Sequence, residues 1–256
     1  MIAPSLLSAF AALSLPEILL IAGMGVVTSL IGGVAGYGTG ALMPLVLVPI
    51  VGAEPIVPII AISALMTNTS RGVAFRKLID WRRVGIVLVA AMPTCVLGAW
   101  GYTRLTSAGV MILIGSMLAL SVPLRWLLRS RGYHFDDKRL GAASVAWGVL
   151  VGGTSGAGVI LLSMLMAAGL ESAAVIATDA TVSVLLGIIK LAVFGLAGVV
   201  TAQVIVVALV IGFSAFPGAF VARALVARLP IHIHTAMLDA VVVLGGVIMI
   251  VGALRR

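Results

Sequence analysis

No hydrophilic stretch of this chain is longer than the segment 129–139, so the sequence offers no place to build a water-facing domain. The rest is one apolar run after another, separated by brief polar turns. Of 256 residues, 62% are hydrophobic and 9% charged, against about a quarter charged in ordinary soluble domains. A chain of this kind folds in a bilayer, where a continuous apolar segment satisfies its own backbone by becoming a helix. A crossing takes roughly 20 residues. On that measure the sequence predicts spans at 55–75, 84–103, 109–128, 172–194, 200–225 and 233–254.

Two further apolar segments, 16–51 and 140–168, are too long for single spans, and each is broken near its middle by glycines. The first break reads Gly32-Gly33-Val34-Ala35-Gly36-Tyr37-Gly38 and the second Gly152-Gly153-Thr154-Ser155-Gly156-Ala157-Gly158, with the same glycine spacing. Each predicts a helix, a glycine turn and a shorter helix, closing on Gly-Ala-Glu at 52–54 or Gly-Leu-Glu at 169–171. The expected fold is therefore all-α and polytopic. It comprises two repeats, 1–132 and 133–256, each a broken hairpin followed by three transmembrane helices. A duplicated, interrupted membrane helix is the sequence pointer to the binding site of a secondary transporter.

Basic residues set an expected orientation. Residues 1–70 hold no Lys or Arg, whereas the 76–83 loop carries Arg76, Lys77, Arg82 and Arg83. The 125–139 region carries Arg125, Arg129, Arg131, Lys138 and Arg139. Both are assigned to the cytoplasm. In the second half the bias reverses: Gly195–Val200 is uncharged, and Arg223 and Arg228 occupy the counterpart of the Arg104 loop. That reversal is what inverted topology predicts, although the terminal Arg255 and Arg256 run against it.

Candidate site residues follow from the breaks and the helices after them. Gly33, Gly36, Gly38, Gly153 and Gly156 let the backbone turn and approach a small ligand, with Tyr37, Thr39, Thr154 and Ser155 supplying hydroxyls. Helices starting near Gly40 and Gly158 would present their N-terminal amides to an anion. The competing role for the glycines is close helix packing. In 55–75, Ser63, Thr67, Ser70 and Arg71 share one face with Asn68 beside them, and in 172–194 so do Asp179, Ser183 and Lys190. Arg71 and Lys190 either snorkel to the interface or face the substrate. Asp179, two turns into its span, is a candidate proton carrier or a structural hydrogen-bonding group. Glu54 and Glu171 read as first-turn residues, His232 and His234 as interfacial, and Pro93 and Pro217 as kinks in corresponding spans.

Several functions are excluded. The basic residues lie in short loops and form no nucleic-acid stripe, and Cys95, the only cysteine, permits neither an intramolecular disulfide nor a thiolate metal cluster. The three histidines lack a zinc spacing. The glycine breaks are no dinucleotide fingerprint, for want of a flanking strand and acidic residue, so no cofactor is expected. No nucleophile–base pair suggests an enzyme. The apolar N-terminus, 1–15, lacks the basic start of a cleaved signal.

The two glycine hairpins, the polar helix after each, the basic 71–83 loop with Ile79-Asp80-Trp81, and Gly-Ala at 98–99 and 218–219 together resemble the TauE/SafE family of sulfite and organosulfonate exporters. The resemblance spans nearly the whole chain. It departs in the first hairpin, where Ala35 and Tyr37 interrupt a glycine run that is denser in the family. What it implies is transport of a small sulfur-containing anion across a bacterial inner membrane. The expected partners are therefore that anion and the lipid bilayer. An anion channel with paired re-entrant hairpins is the alternative.

Overall fold

In a computed structural model the described residues are 5–35, 39–130, 134–218, 220–221 and 232–254; of 32–35, 125–130 and 232–241 only the backbone is described. Every regular element among them is a helix, as expected. A short α1 (Leu6–Ala11) precedes a first series: α2 (Leu15–Ala35), α3 (Thr39–Val51), α4 (Ile56–Ala74), α5 (Trp81–Tyr102) and α6 (Ser107–Ser130). The second series is α7 (Asp137–Gly153), α8 (Gly158–Ala167), α9 (Ser172–Leu196), α10 (Ala202–Ala215) and α11 (His232–Leu254). Four stretches are long and apolar enough to cross a bilayer: Ile56–Ala74, Trp81–Tyr102, Ser107–Leu124 and Ser172–Leu196. The segment 140–168 is divided into α7 and α8; in 16–51 the residues 36–38 between α2 and α3 lie outside those described, and α3 lies back against α2, with Thr28 donating to Thr39 at 3.5 Å.

One expected span is corrected. The segment 200–225 is not a single helix, because α10 stops at Ala215. Pro217 has no amide to give the preceding turn, and its own carbonyl accepts from Phe220 and Val221 as the chain moves on. The carbonyls freed at the break are taken up by the other half of the molecule. Ser29 of α2 donates to Ala215 O, and Ser70 of α4 donates to Phe216 O at 2.6 Å. Pro93, its counterpart, lies inside an uninterrupted α5. Arg223 and Arg228 lie outside the described residues.

α4 and α9 face each other at the centre of the molecule. Around them α5 packs on α7 and α9 while α10 packs on α2 and α4; α6 meets α8 and α11, and α11 meets α3. Exchanging the first series for the second turns each of these contacts into another of them. Small residues permit the closest approaches. A Cβ on Gly98 of α5 would collide with Val149 O of α7, and one on Gly152 with Cys95 O. A Cβ on Gly115 of α6 would stand 2.7 Å from Gly246 O of α11.

The two short helices finish at opposite ends of α5. At its start, Arg83 donates from Nη2 to Ala168 O (2.7 Å), just beyond α8. At its other end, the Tyr102 hydroxyl donates to Glu54 O (2.8 Å), between α3 and α4. The Glu54 carboxylate meanwhile accepts from Ser107 at 2.6 Å. Near Arg83, the exposed Arg82 pairs with Asp137, and the Phe135 amide donates to Ala167 O at 2.9 Å. The basic segments 76–83 and 134–139 thus share one end of the bundle.

Candidate functional site

The second break shows how an interrupted helix is held open. Thr154 is extended and Gly156 has φ +86°, a left-handed conformation that side chains disfavour. The chain then re-enters a helix at Gly158. Carbonyls that a continuous helix would satisfy need donors from elsewhere. Trp147 Nε1 adds a donor across the break to Ala157 O at 2.8 Å, a carbonyl that also accepts from the Ile160 amide. Lys190 of α9 supplies two, from Nζ to Val151 O at 2.7 Å and to Thr154 O at 3.4 Å. A cation at the C-terminal end of α7 is also where the helix dipole favours it. Lys190 is buried, 7% exposed, and does not snorkel.

The start of α3 lies directly against this break. A Cβ on Gly40 would stand 3.1 Å from Gly156 N, and one on Gly156 would stand 3.5 Å from Gly40 O. The start of α3 and the second break therefore meet backbone to backbone, and around them is a cavity of about 130 Å³. The first turns of α3 (Thr39, Gly40, Ala41) and of α8 (Gly158) both line it, which brings the positive ends of two helices to one place.

α4 and α9 furnish the side chains. Thr67, Asn68 and Arg71 line the cavity from α4, and Asp179, Ser183 and Lys190 from α9. Arg71 Nη2 lies 3.9 Å from Asp179 Oδ2, and the same guanidinium donates to Asn68 Oδ1. The side chains of Arg71 and Asp179 are 13% and 2% exposed, so Arg71 points inward and does not snorkel. Asp179 Oδ1, beside Gly158, and Ser155 Oγ are buried and without a hydrogen-bond partner among the described residues. The lining thus carries two cations, one carboxylate, several hydroxyls and two helix N-termini. Such a set has the chemistry suited to a small anion. Among the described residues no cluster of His, Cys, Asp and Glu is arranged to hold a metal.

Of the sequence-predicted residues, Thr39, Thr67, Asn68, Arg71, Thr154, Ser155, Gly156, Asp179, Ser183 and Lys190 are brought together at this cavity. Ser70 and Gly153 are not. Ser70 is committed to the α10 break, and the missing side chain of Gly153 faces Gly98, where a Cβ would stand 3.0 Å from its carbonyl. Gly33 falls in the last turns of α2, and Gly36, Tyr37 and Gly38 lie outside the described residues. Sequence reasoning missed Ser29 and Gly187, which also line the cavity, and the pairing of Arg71 with Asp179. Ser29 is a small polar residue on an apolar helix, the one signal available for it.

The family model described as Sulfite exporter TauE/SafE matches residues 21–249. No curated protein and no solved structure matches the chain. The match takes in both glycine breaks and every residue of the cavity, and the chain belongs to the TauE/SafE sulfite exporter family of membrane transporters.

Proposed function

We propose that this protein is a secondary transporter that carries a small anion, sulfite or a short organosulfonate, across the bacterial inner membrane. Transport proceeds by alternating access of two inverted halves, with a proton carried on Asp179. One observation carries the reading: a cavity built where two broken helices meet, lined from both halves and by the positive ends of α3 and α8. The sulfur chemistry rests on the family. Three observations support inversion: the exchange of helix contacts between the two series, the opposite ends at which α3 and α8 finish, and the charge reversal between halves. In this orientation the segments 76–83 and 125–139 face the cytoplasm.

Purified protein should be stabilised against thermal unfolding by sulfite or a short sulfonate. A millimolar ligand at a micromolar site adds about 4 kcal/mol. In liposomes the flux of that anion should saturate. Unitary currents in a planar bilayer would make the protein a channel, and stabilisation by none of sulfite, sulfate, thiosulfate or short sulfonates would remove the anion reading altogether.

A further inference from the structure

Asp179 stands where an anion would be drawn. Its Oδ2 lies 3.9 Å from Arg71, and its Oδ1 faces the first residue of α8 from a side chain only 2% exposed. An ionised carboxylate there already occupies the attractive field of the guanidinium and of the helix N-terminus. A second negative charge entering a cavity of about 130 Å³ is repelled by it at short range and low dielectric. Protonation changes both the charge and the hydrogen-bonding character of the group. A carboxylic acid is a donor, whereas a carboxylate only accepts. With Ser155 Oγ it then offers a second donor in the cavity that lacks a partner among the described residues.

We propose that the bound anion and the ionised form of Asp179 exclude one another, so that each anion binds together with one proton on Asp179. The proton passes from water to the carboxylate, Arg71 turns from Asp179 to the anion, and the Asp179 O–H donates to an anion oxygen. Release reverses these steps, and one proton leaves with each anion. This rests on the cavity being the anion site and adds its regulation.

Among the described residues, the other charged groups leave this role to Asp179. From α4 only Arg71 faces it. On its own helix Lys190 is engaged with the carbonyls of α7, and Cys95 of α5 lies buried beside that ammonium. α8 carries no ionisable residue, and Arg76 and Lys77, in the 3-10 turn packed on α9, are on the loop after α4.

Methanesulfonate is the suitable probe because it stays a monoanion over the working pH range, so any pH dependence belongs to the protein. Calorimetry in two buffers of different ionisation enthalpy should report one proton taken up per anion bound. The dissociation constant should rise about tenfold for each pH unit on the alkaline side. Adding methanesulfonate should also produce the infrared carbonyl band of a protonated carboxylic acid. Asp179→Asn should bind with no pH slope and no proton uptake. Binding to the wild type without proton uptake overturns this mechanism and leaves the anion site standing. A pH slope or proton uptake that survives in Asp179→Asn removes Asp179 from it. Should that variant not fold, the wild-type infrared band decides, and its absence overturns the assignment. If neither methanesulfonate nor sulfite binds at all, the anion reading of the cavity and this proposal fall together.

Discussion

Removing the Lys190 ammonium takes the donor from two carbonyls at the end of α7. A buried acceptor left unsatisfied costs about 1–3 kcal/mol, so Lys190→Met should lower the thermal midpoint in detergent even with no anion present. An unchanged midpoint would mean that another donor reaches Val151. Gly156 is constrained differently. Its φ of +86° disfavours any side chain, and a Cβ there would already stand 3.1 Å from Leu118 Cδ2 and 3.5 Å from Gly40 O, which leaves little space for a branch. Gly156→Val should abolish sulfite-dependent stabilisation while the protein still enters the membrane; normal binding would make the break a packing device. Ser70→Ala is the contrasting case. It should cost about 1 kcal/mol through the Phe216 carbonyl and leave anion binding as it was. Lost binding with unchanged stability would return Ser70 to the site.

Among the elements, α5 depends most on its first residues. Asp80 caps it, its carboxylate accepting from the Arg83 amide at 3.0 Å and from the Arg83 guanidinium at 2.6 Å. Partial burial pushes the Asp80 carboxyl up, but these hydrogen bonds and the Arg83 charge outweigh it and hold the group below its usual value. A carboxylate with a lowered folded-state value stabilises the protein above its unfolded titration range, and that contribution fades as pH falls through the folded value. Asp80→Ala should therefore lose about 1 kcal/mol at neutral pH, and the gap to the wild type should narrow on acidification. A gap independent of pH would show that the charge contributes nothing.

Helix positions were legible in the sequence where a single property decides them. Apolar length placed α4, α5, α6, α9 and α11 within a few residues, and the glycines of 152–158 placed the division between α7 and α8. The end of α10 was missed because the carbonyls left open where it stops, those of Ala215 and Phe216, are satisfied by Ser29 and Ser70, partners far along the chain that no local pattern reveals. The site divides in the same way. Cavity residues were found by the helical face they share, whereas the Arg71–Asp179 pair joins two helices from different halves. Lys190 stood out as a buried cation; that it completes a broken helix required knowing what lay beside it.

For the molecule as a whole, the proposed orientation carries a direct expectation about sidedness. Thr103 ends α5 at the Glu54 side, and Asp136 begins α7 among the basic segments. On a Cys95→Ala background, a cysteine placed at Thr103 should react with an impermeant thiol reagent added to intact cells. One placed at Asp136 should react only after the membrane is opened. The opposite pattern would turn the whole molecule over.

The break in α10 bears on how such a chain is made. Ser29 and Ser70 leave the ribosome long before Ala215 and Phe216, and the acceptors they finally serve do not yet exist when α2 and α4 enter the bilayer. The early half must wait in lipid with its hydroxyls turned back on their own helices, and the late half cannot settle its opened backbone without them. Cut in the 134–136 loop, neither fragment should accumulate alone in cells. Expressed together from separate messages, they should protect one another from membrane proteases and regain a common melting transition.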